Sequence, residues 1–286
     1  MRLTDFDIYQ ELLKEESGLV ITQEKAYLLE SRLNPVAAKW GFTNLETMTT
    51  ALRGVPDPAL VKEIVEAMTT NETSFFRDMR PFDVFRDHTL PYILSSRIHE
   101  RKFRIWCAAA SSGQEPYSLA MLIKEQESQF MRWNIEILGT DISEDILAIA
   151  KAAKYSQFEV QRGLPVQLLV KHFRQEGDRW LLSDEIKNMV TYKYFNLLKS
   201  MSALGTFDII FCRNVLIYFD EATKGEILKR MASQLKDDGF LYLGGAETVL
   251  GITDAFAPVP NLRGVYAKKG SIHLEKKPVE TQQALA

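Results

Sequence analysis

Two carboxylates stand where strands and helices in alternation would bind a ligand. Glu115 lies in Trp106-Cys107-Ala108-Ala109-Ala110-Ser111-Ser112-Gly113-Gln114-Glu115-Pro116-Tyr117, which follows an apolar run and opens a helical pattern. In a doubly wound sheet, that strand-to-helix turn is the ligand side. A dinucleotide fold would place several glycines there to admit a pyrophosphate, yet Gly113 is the only glycine in this stretch. A carboxylate at the helix start repels a phosphate and suits a ligand bearing an ammonium. S-adenosylmethionine, with its α-ammonium and sulfonium, has that chemistry. The same glutamate would also simply complement the helix dipole. Asp141 ends a second strand-like run roughly 25–30 residues downstream, where an acidic side chain can accept hydrogen bonds from ribose hydroxyls. As a cap of the helix that starts near Ser143 it needs no ligand. Together the two carboxylates imply a nucleoside with a cationic end.

Two further segments carry polar groups beside aromatics. Asn71-Glu72-Thr73-Ser74-Phe75-Phe76-Arg77-Asp78 offers groups to hold a cofactor, and Arg77 to steer a substrate carboxylate. The plainer alternative is a helix end with the phenylalanines packed in a seam. Arg213-Asn214-Val215-Leu216-Ile217-Tyr218-Phe219 follows another strand-like run, so Asn214 and Tyr218 fall again on the ligand side. Read as structure alone, they are a turn residue and a half-buried aromatic. Asn196-Leu197-Leu198 reads as a strand-end turn.

The elements that must position these residues fall into two sets. Residues 1–80 read as helices. Phe6, Tyr9, Leu12 and Leu13 have helical spacing up to Gly18, and Ala26, Leu29, Leu33, Val36 and Ala37 repeat it as far as Gly41. Thr43 with Glu46 is a capping-box pattern, and Asp57-Pro58 supplies a cap and a first-turn proline for a fourth helix. From Phe103 the pattern changes. Phe103–Ala108, Ile135–Gly139, Phe207–Cys212 and Phe240–Leu243 read as buried strands, with helices over Tyr117–Gln126, Ser143–Ala152 and Ile227–Leu235. This alternation implies right-handed crossovers and a mostly parallel sheet. Gly264–Ala267 is expected as an antiparallel edge strand. The stretch about 161–195 breaks the alternation and is expected to form a three-stranded β-rich insertion, with Trp180-Leu181-Leu182 and Val190-Thr191-Tyr192 among its strands. The domain boundaries are therefore set at 1–80 and 81–269, with a disordered tail over 270–286.

Composition narrows the function classes. The 286 residues are 46% hydrophobic and 26% charged, with 35 Lys and Arg against 38 Asp and Glu, a net of −3. A general nucleic-acid binder would normally show a basic domain, so no nucleic-acid partner is expected. No apolar run approaches the roughly 18 residues of a membrane span, and no secretory signal opens the chain. Cys107 and Cys212 sit in apolar runs and are expected as buried thiols of a cytoplasmic protein. The four histidines are scattered, and no metal site is expected.

Taken together the motifs resemble the chemotaxis receptor glutamate methyltransferases, the CheR family. They are Met68–Arg77, Ser111–Ser118, Gly139-Thr140-Asp141-Ile142-Ser143 and Phe211–Phe219, in family order, and the resemblance runs to about Lys269. It implies an α/β fold: a class I S-adenosylmethionine-dependent methyltransferase sheet, Rossmann-like and mostly parallel, with an N-terminal all-helical domain and a small β insertion. It also implies a site for S-adenosylmethionine, and its product S-adenosylhomocysteine, lined by Asn71, Thr73, Arg77, Glu115, Asp141, Asn196, Leu197, Arg213 and Asn214. Arg77 and Tyr218 would stand near the transferring methyl as catalytic residues. The family's receptor-docking face on the second helix corresponds to Lys25, Arg32 and Lys39, whose seven-residue repeat puts them on one side of a helix. A merely solvated face has the same pattern.

The sequence departs from the family in three places. Gln114 replaces a second glutamate. The helical domain is acidic, residues 1–80 holding 9 Lys and Arg against 13 Asp and Glu, so docking must be local. The turn Gln175–Arg179 is shorter than in relatives that grip a receptor's C-terminal pentapeptide, so no tether is expected. The resulting expectation is a monomeric, cytoplasmic protein-glutamate O-methyltransferase acting on chemoreceptor methylation helices. A class I methyltransferase of RNA or of a small molecule, and a non-catalytic S-adenosylmethionine sensor, are the alternatives.

Overall fold

The computed structural model describes residues 3–275. Helices α1 (Leu3–Ser17), α2 (Ala26–Lys39), α3 (Leu45–Leu52) and α4 (Pro58–Met68) form the helical domain. Their apolar stripes meet in a separate core around Tyr9, Leu13, Leu29, Leu33, Met48 and Ile64, to which the sheet domain adds only the partly buried Ile142. The expected cap at Asp57 is present, with Oδ1 accepting from the Ala59 amide at 2.8 Å. The cap of α3 lies one residue later than expected. Asn44 is the cap and Thr47 its reciprocal partner, because the amide side chain of Asn44 reaches the Thr47 N–H at 2.9 Å.

Between the domains, α5 (Arg80–Val84), a π-helical turn (Phe85–Thr89) and α6 (Leu90–Ser96) form one irregular helical stretch that bears Phe82, Phe85, Leu90 and Ile93 into the sheet's core. The alternating part then runs β1 (Lys102–Ala108), α7 (Gln114–Glu125), β2 (Asn134–Asp141) and α8 (Glu144–Ala152). It continues with β3 (Lys154–Ser156), α9 (Gln157–Gln161), α10 (Val166–His172), β4 (Phe173–Glu176), β5 (Arg179–Leu182) and α11 (Asp184–Lys187). The last elements are β6 (Val190–Tyr194), β7 (Phe207–Cys212), α12 (Glu221–Gln234), β8 (Leu235–Leu243), β9 (Phe256–Pro258) and β10 (Val265–Lys268). The main sheet has the order β6-β2-β1-β7-β8-β10-β9, with β6 to β8 parallel and β10 and β9 antiparallel.

Four further expectations change. Val190–Tyr194 belongs to the main sheet, in parallel register with Ile137–Asp141. Its apolar residues pack on the large core, and a short apolar run does not reveal which sheet it joins. The insertion's three strands are instead β3, β5 and β4, so it begins at Lys154. Strand β10 is not the edge, since β9 pairs outside it, with Pro258 opposite Tyr266 and Phe256 opposite Lys268. The expected disordered tail lies outside the described residues from 276 onward, whereas 270–275 are packed. There Ser271 caps a short 3₁₀ turn and the His273 ring stacks on Phe240 at 4.1 Å.

The insertion, hereafter the flap, has no core of its own. Tyr155, Val160, Leu164, Phe173 and Leu182 are continuous with the core that holds Phe75, Phe103 and Phe211. At the opposite end of the sheet, Asp208 is buried and accepts from Arg97 Nε and from the Arg104 amide, both at 2.9 Å. Arg97 also makes a bidentate pair with Asp238 at 2.6 and 2.8 Å. This charge cluster ties α6 to β7 and β8.

Candidate active site

The carboxyl ends of β1, β2 and β7 open into a cleft that is partly exposed to solvent. The sheet supplies Ser111, Glu115, Asp141 and the Arg213–Val215 segment. The interdomain stretch supplies Thr69–Thr73 and Arg77, and Ser17 and Leu19 close the cleft from the end of α1. It therefore spans the seam between the two cores.

The turn after β1 is built from left-handed backbone. Ala109, Ser111 and Gly113 have φ of 59°, 50° and 93°. Only glycine fits the last of these, since a Cβ there would lie 2.6 Å from Tyr192 Oη and 3.0 Å from the Tyr117 ring. The twist aims the Ser111 N–H at Asp141 Oδ2, 2.9 Å away, while Asp141 Oδ1 accepts from the Ser143 N–H at 3.1 Å. Asp141 thus ties the Ser111 and Ser143 amides together and lines the cleft, while the cap of α8 is Ser143, whose hydroxyl accepts from the Ile146 N–H. Phe76, Asp78, Met79 and Asn214 also have positive φ. Left-handed non-glycine residues are costly and gather at functional sites, and these flank the same cleft.

Arg213 organises the centre. Its guanidinium is almost wholly buried and donates to Glu115 Oε2 at 2.9 Å, to the Arg77 carbonyl at 2.9 Å and to Asp78 Oδ2 at 2.8 Å. Phe82 lies 5.6 Å beneath its central carbon. Burial pushes the Glu115 carboxyl above the ordinary glutamate range, and the Arg213 charge and hydrogen bond only partly offset that. Burial likewise raises Asp141, against the amide bonds from Ser143 and Ser111. Both shifts reflect acceptors withdrawn from water.

The loop carrying Arg213–Tyr218 is held by Glu247, which the sequence reading missed. Its buried carboxylate accepts from the amides of Asn214 (2.8 Å), Val215 (3.0 Å), Leu216 (2.8 Å), Ile217 (3.3 Å) and Gly244 (2.6 Å). The available signal was a lone glutamate just after Gly244-Gly245 at a strand end. Asp78, Ser111, Ser17 at the end of α1 and Leu19 just beyond it were also not singled out, although Asp78 and Ser111 fall inside the motifs given above.

Of the expected site residues, Asn71, Thr73, Arg77, Glu115, Asp141, Arg213, Asn214 and Tyr218 converge on the cleft. Arg77 donates to the Glu72 carbonyl at 2.9 Å, and the Asn71 carbonyl accepts from Ser111 Oγ at 2.8 Å. The other two expected residues are not brought into it. The Asn196 amide donates outward to the Glu16 carbonyl at 2.7 Å, and Asn196 lines a neighbouring depression with Tyr194 and Lys199. Leu197 is buried in the core under α12. The three docking cations also diverge. Lys25 precedes α2 in a 3₁₀ turn and is exposed, whereas Lys39 pairs with Glu63 at 2.8 Å. Arg32 turns inward to the Met68 and Thr69 carbonyls at 2.8 and 3.2 Å, because α4 ends there with unsatisfied acceptors.

The donor set fits S-adenosylmethionine. The cleft offers a carboxylate for an ammonium and another for a ribose diol, and these two negative groups oppose a phosphate.

Family models agree. The one described as the CheR methyltransferase SAM-binding domain matches residues 71–265, and the CheR all-alpha domain matches residues 4–69. The chain belongs to the CheR methyltransferase family. Among CheR relatives, it is 40% identical over 263 residues to the chemotaxis protein methyltransferase of Vibrio anguillarum, covering 91% of this chain and 94% of that one. It is 37% identical over 265 residues to chemotaxis protein methyltransferase Cher2 of Pseudomonas putida, covering 91% and 96%. With the Escherichia coli chemotaxis protein methyltransferase it shares 33% over 242 residues, covering 83% and 82%. The seam between the two CheR domain matches falls at Thr70, on the wall of the cleft.

Proposed function

We propose that this CheR-family protein is a protein-glutamate O-methyltransferase that esterifies glutamate side chains on the cytoplasmic helices of chemoreceptors. The observation that carries this reading is the convergence of Glu115, Asp141, Arg77 and Tyr218 on one cleft at the carboxyl ends of the strands. Glu115 receives the cofactor's ammonium, and Asp141 its ribose hydroxyls through the lone pairs that the two amides leave free. Arg213 is spent on Glu115, Arg77 and Asp78, so it positions those groups. Asn71, Thr73 and Asn214 shape the walls. When bound, S-adenosylmethionine supplies an electrophilic methyl on a sulfonium.

The acceptor needs no base. A glutamate of ordinary pKa, about 4.3, is already a carboxylate at neutral pH. Arg77 steers that carboxylate into the cleft, and Tyr218 borders its path. Catalysis then consists of alignment and the exclusion of water. The acceptor oxygen gains the methyl, the sulfonium becomes a thioether, and the opposite charges of the reactants cancel.

Recruitment rests on a local cationic contact at Lys25, since Arg32 is taken up by the Met68 and Thr69 carbonyls and Lys39 by Glu63. The flap hairpin joins Glu176 to Arg179 through the two-residue turn Gly177-Asp178, which argues against a pentapeptide tether. Among the described residues no helix is long and apolar enough to cross a membrane.

The test is incubation with methyl-labelled S-adenosylmethionine and receptor cytoplasmic fragments. Base-labile label on the receptor supports the reading. Label stable to base, or label only on RNA or small molecules, overturns it.

A further inference from the structure

The flap touches the cleft from behind at four points. Tyr155 on β3 is fully buried, and its hydroxyl donates to the Ser112 carbonyl at 2.8 Å, inside the turn that leads to Glu115. Phe75, on the interdomain stretch, sits edge-on to the rings of Tyr155 and Phe173 at 5.0 and 5.6 Å. Gly163, with φ +88°, passes so close that a Cβ would lie 2.1 Å from the Phe75 carbonyl oxygen. Arg162 pairs with Glu72, whose carbonyl in turn receives Arg77.

These contacts land on the two segments that form the cofactor-side walls, 71–77 and 111–115. Residues 69–74 carry no regular secondary structure, and the turn after β1 is left-handed at Ala109, Ser111 and Gly113 before α7 opens at Gln114. Such backbone keeps its shape only when its surroundings over-determine it. The flap supplies part of that support from within a core shared with the sheet.

We infer that the flap braces the cofactor cleft, with Tyr155, Arg162 and Gly163 as positioning residues that hold Glu72–Arg77 and Ser112–Glu115 in their binding geometry. The inference rests on the proposed function for the identity of the ligand. It gives the flap a task even with a hairpin turn too short to grip a peptide. By linkage, a ligand that needs the braced walls also stabilises the brace.

The test uses the full chain and S-adenosylhomocysteine, so no acceptor is needed. Calorimetry is run on the wild type and on Tyr155→Phe, Gly163→Ala, Arg162→Ala and Arg162→Lys, with amide exchange of residues 154–182 followed with and without ligand. Tyr155→Phe keeps the ring packing and loses only the bond to Ser112. It should bind three- to tenfold more weakly. Arg162→Ala should bind two- to threefold more weakly, with recovery in Arg162→Lys. Ligand should slow exchange in the wild-type flap, and less so in the Tyr155→Phe flap. Gly163→Ala should bind worst, and if it fails to fold, Tyr155→Phe and the Arg162 pair decide the outcome. Wild-type affinity in Tyr155→Phe and Arg162→Ala, or flap exchange indifferent to ligand, would overturn the inference alone. No binding of S-adenosylhomocysteine by the wild type would overturn the proposed function, and this inference with it.

Discussion

Arg213 Nη1 lies 2.9 Å from Glu115 Oε2, yet burial still leaves the glutamate above its ordinary range. A carboxylate so placed has its charge matched by Arg213 and has a free lone pair facing the cleft. Glu115→Gln removes the charge an ammonium would meet. Hydrogen bonds to charged groups are worth roughly 1.5–3 kcal/mol, so S-adenosylhomocysteine affinity should fall about ten- to a hundredfold by calorimetry. Affinity within twofold of wild type would make Glu115 a partner of Arg213 and nothing more.

Asp141→Ala should weaken the same ligand by a similar factor. It should also lower stability, because the Ser111 and Ser143 amides lose their acceptor. Denaturant titration and calorimetry on one preparation separate the two effects.

The pH dependence follows from the raised pKa values of Glu115 and Asp141. For folding, a group whose folded pKa lies above its unfolded value contributes stability that is fully present below the unfolded pKa, and that contribution is lost as pH rises through the folded pKa. Ligand binding has the opposite requirement, since the ammonium and the ribose need the ionised forms. Affinity for S-adenosylhomocysteine should therefore weaken on acidification at a pH above the ordinary carboxylate range. A Kd constant down to pH 4 would rule this out. Single-turnover chemistry on saturated enzyme should be nearly flat around neutrality, because the acceptor is already ionised.

Glu247→Ala strips one carboxylate from five amides of the Arg213–Tyr218 loop and Gly244. The loss should be roughly 3 kcal/mol or more of folding stability, with turnover lost in excess of that where the protein remains folded. Arg97→Met is the contrasting case. It leaves Asp208 buried beside fewer cations, and breaking a buried pair costs about 3–5 kcal/mol. It lies at the far end of the sheet, so ligand affinity of the folded fraction should be unchanged.

Arg32 is an unsuitable probe of receptor docking. It caps the end of α4 at Met68 and Thr69, and Thr69 lines the cleft, so Arg32→Glu should weaken ligand binding as well as any docking. Lys25→Glu isolates docking. Methylation of receptor fragments should fall, and fall further with added salt, given a Debye length of about 8 Å at physiological ionic strength. Equal methylation by Lys25→Glu would remove this residue from the docking surface.

The strands nearest the site were legible in sequence because a parallel sheet buries both faces, and Phe103–Ala108 and Phe207–Cys212 are apolar runs each interrupted by a single charge, Arg104 and Asp208. Glu115 and Asp141 were legible because both fall at strand-to-helix turns on the ligand side of the sheet, where each also has a plain structural use. Glu247 was not, since its partners are backbone amides some thirty residues earlier in the chain, and backbone donors leave no mark on side-chain patterns. Val190–Tyr194 was misassigned because its neighbour β2 lies about fifty residues away, and local periodicity carries no information on pairing. The inward turn of Arg32 was hidden for a similar reason. A seven-residue repeat fixes a helix face but not what that face meets.

The helical domain keeps its own core, and the cleft lies on the seam between that core and the sheet's. Such a molecule contains two cores joined by polar contacts, among them Val20 N–H to the Tyr218 carbonyl, Asn196 to the Glu16 carbonyl and Lys14 to Asp220, and by a chain crossing near Thr70. A ligand seated between them binds only when both are folded and correctly opposed, so its binding energy is shared by the pair. In a scanning calorimeter the ligand-free protein should melt in two overlapping endotherms, and saturating S-adenosylhomocysteine should fuse them into one sharper transition at higher temperature.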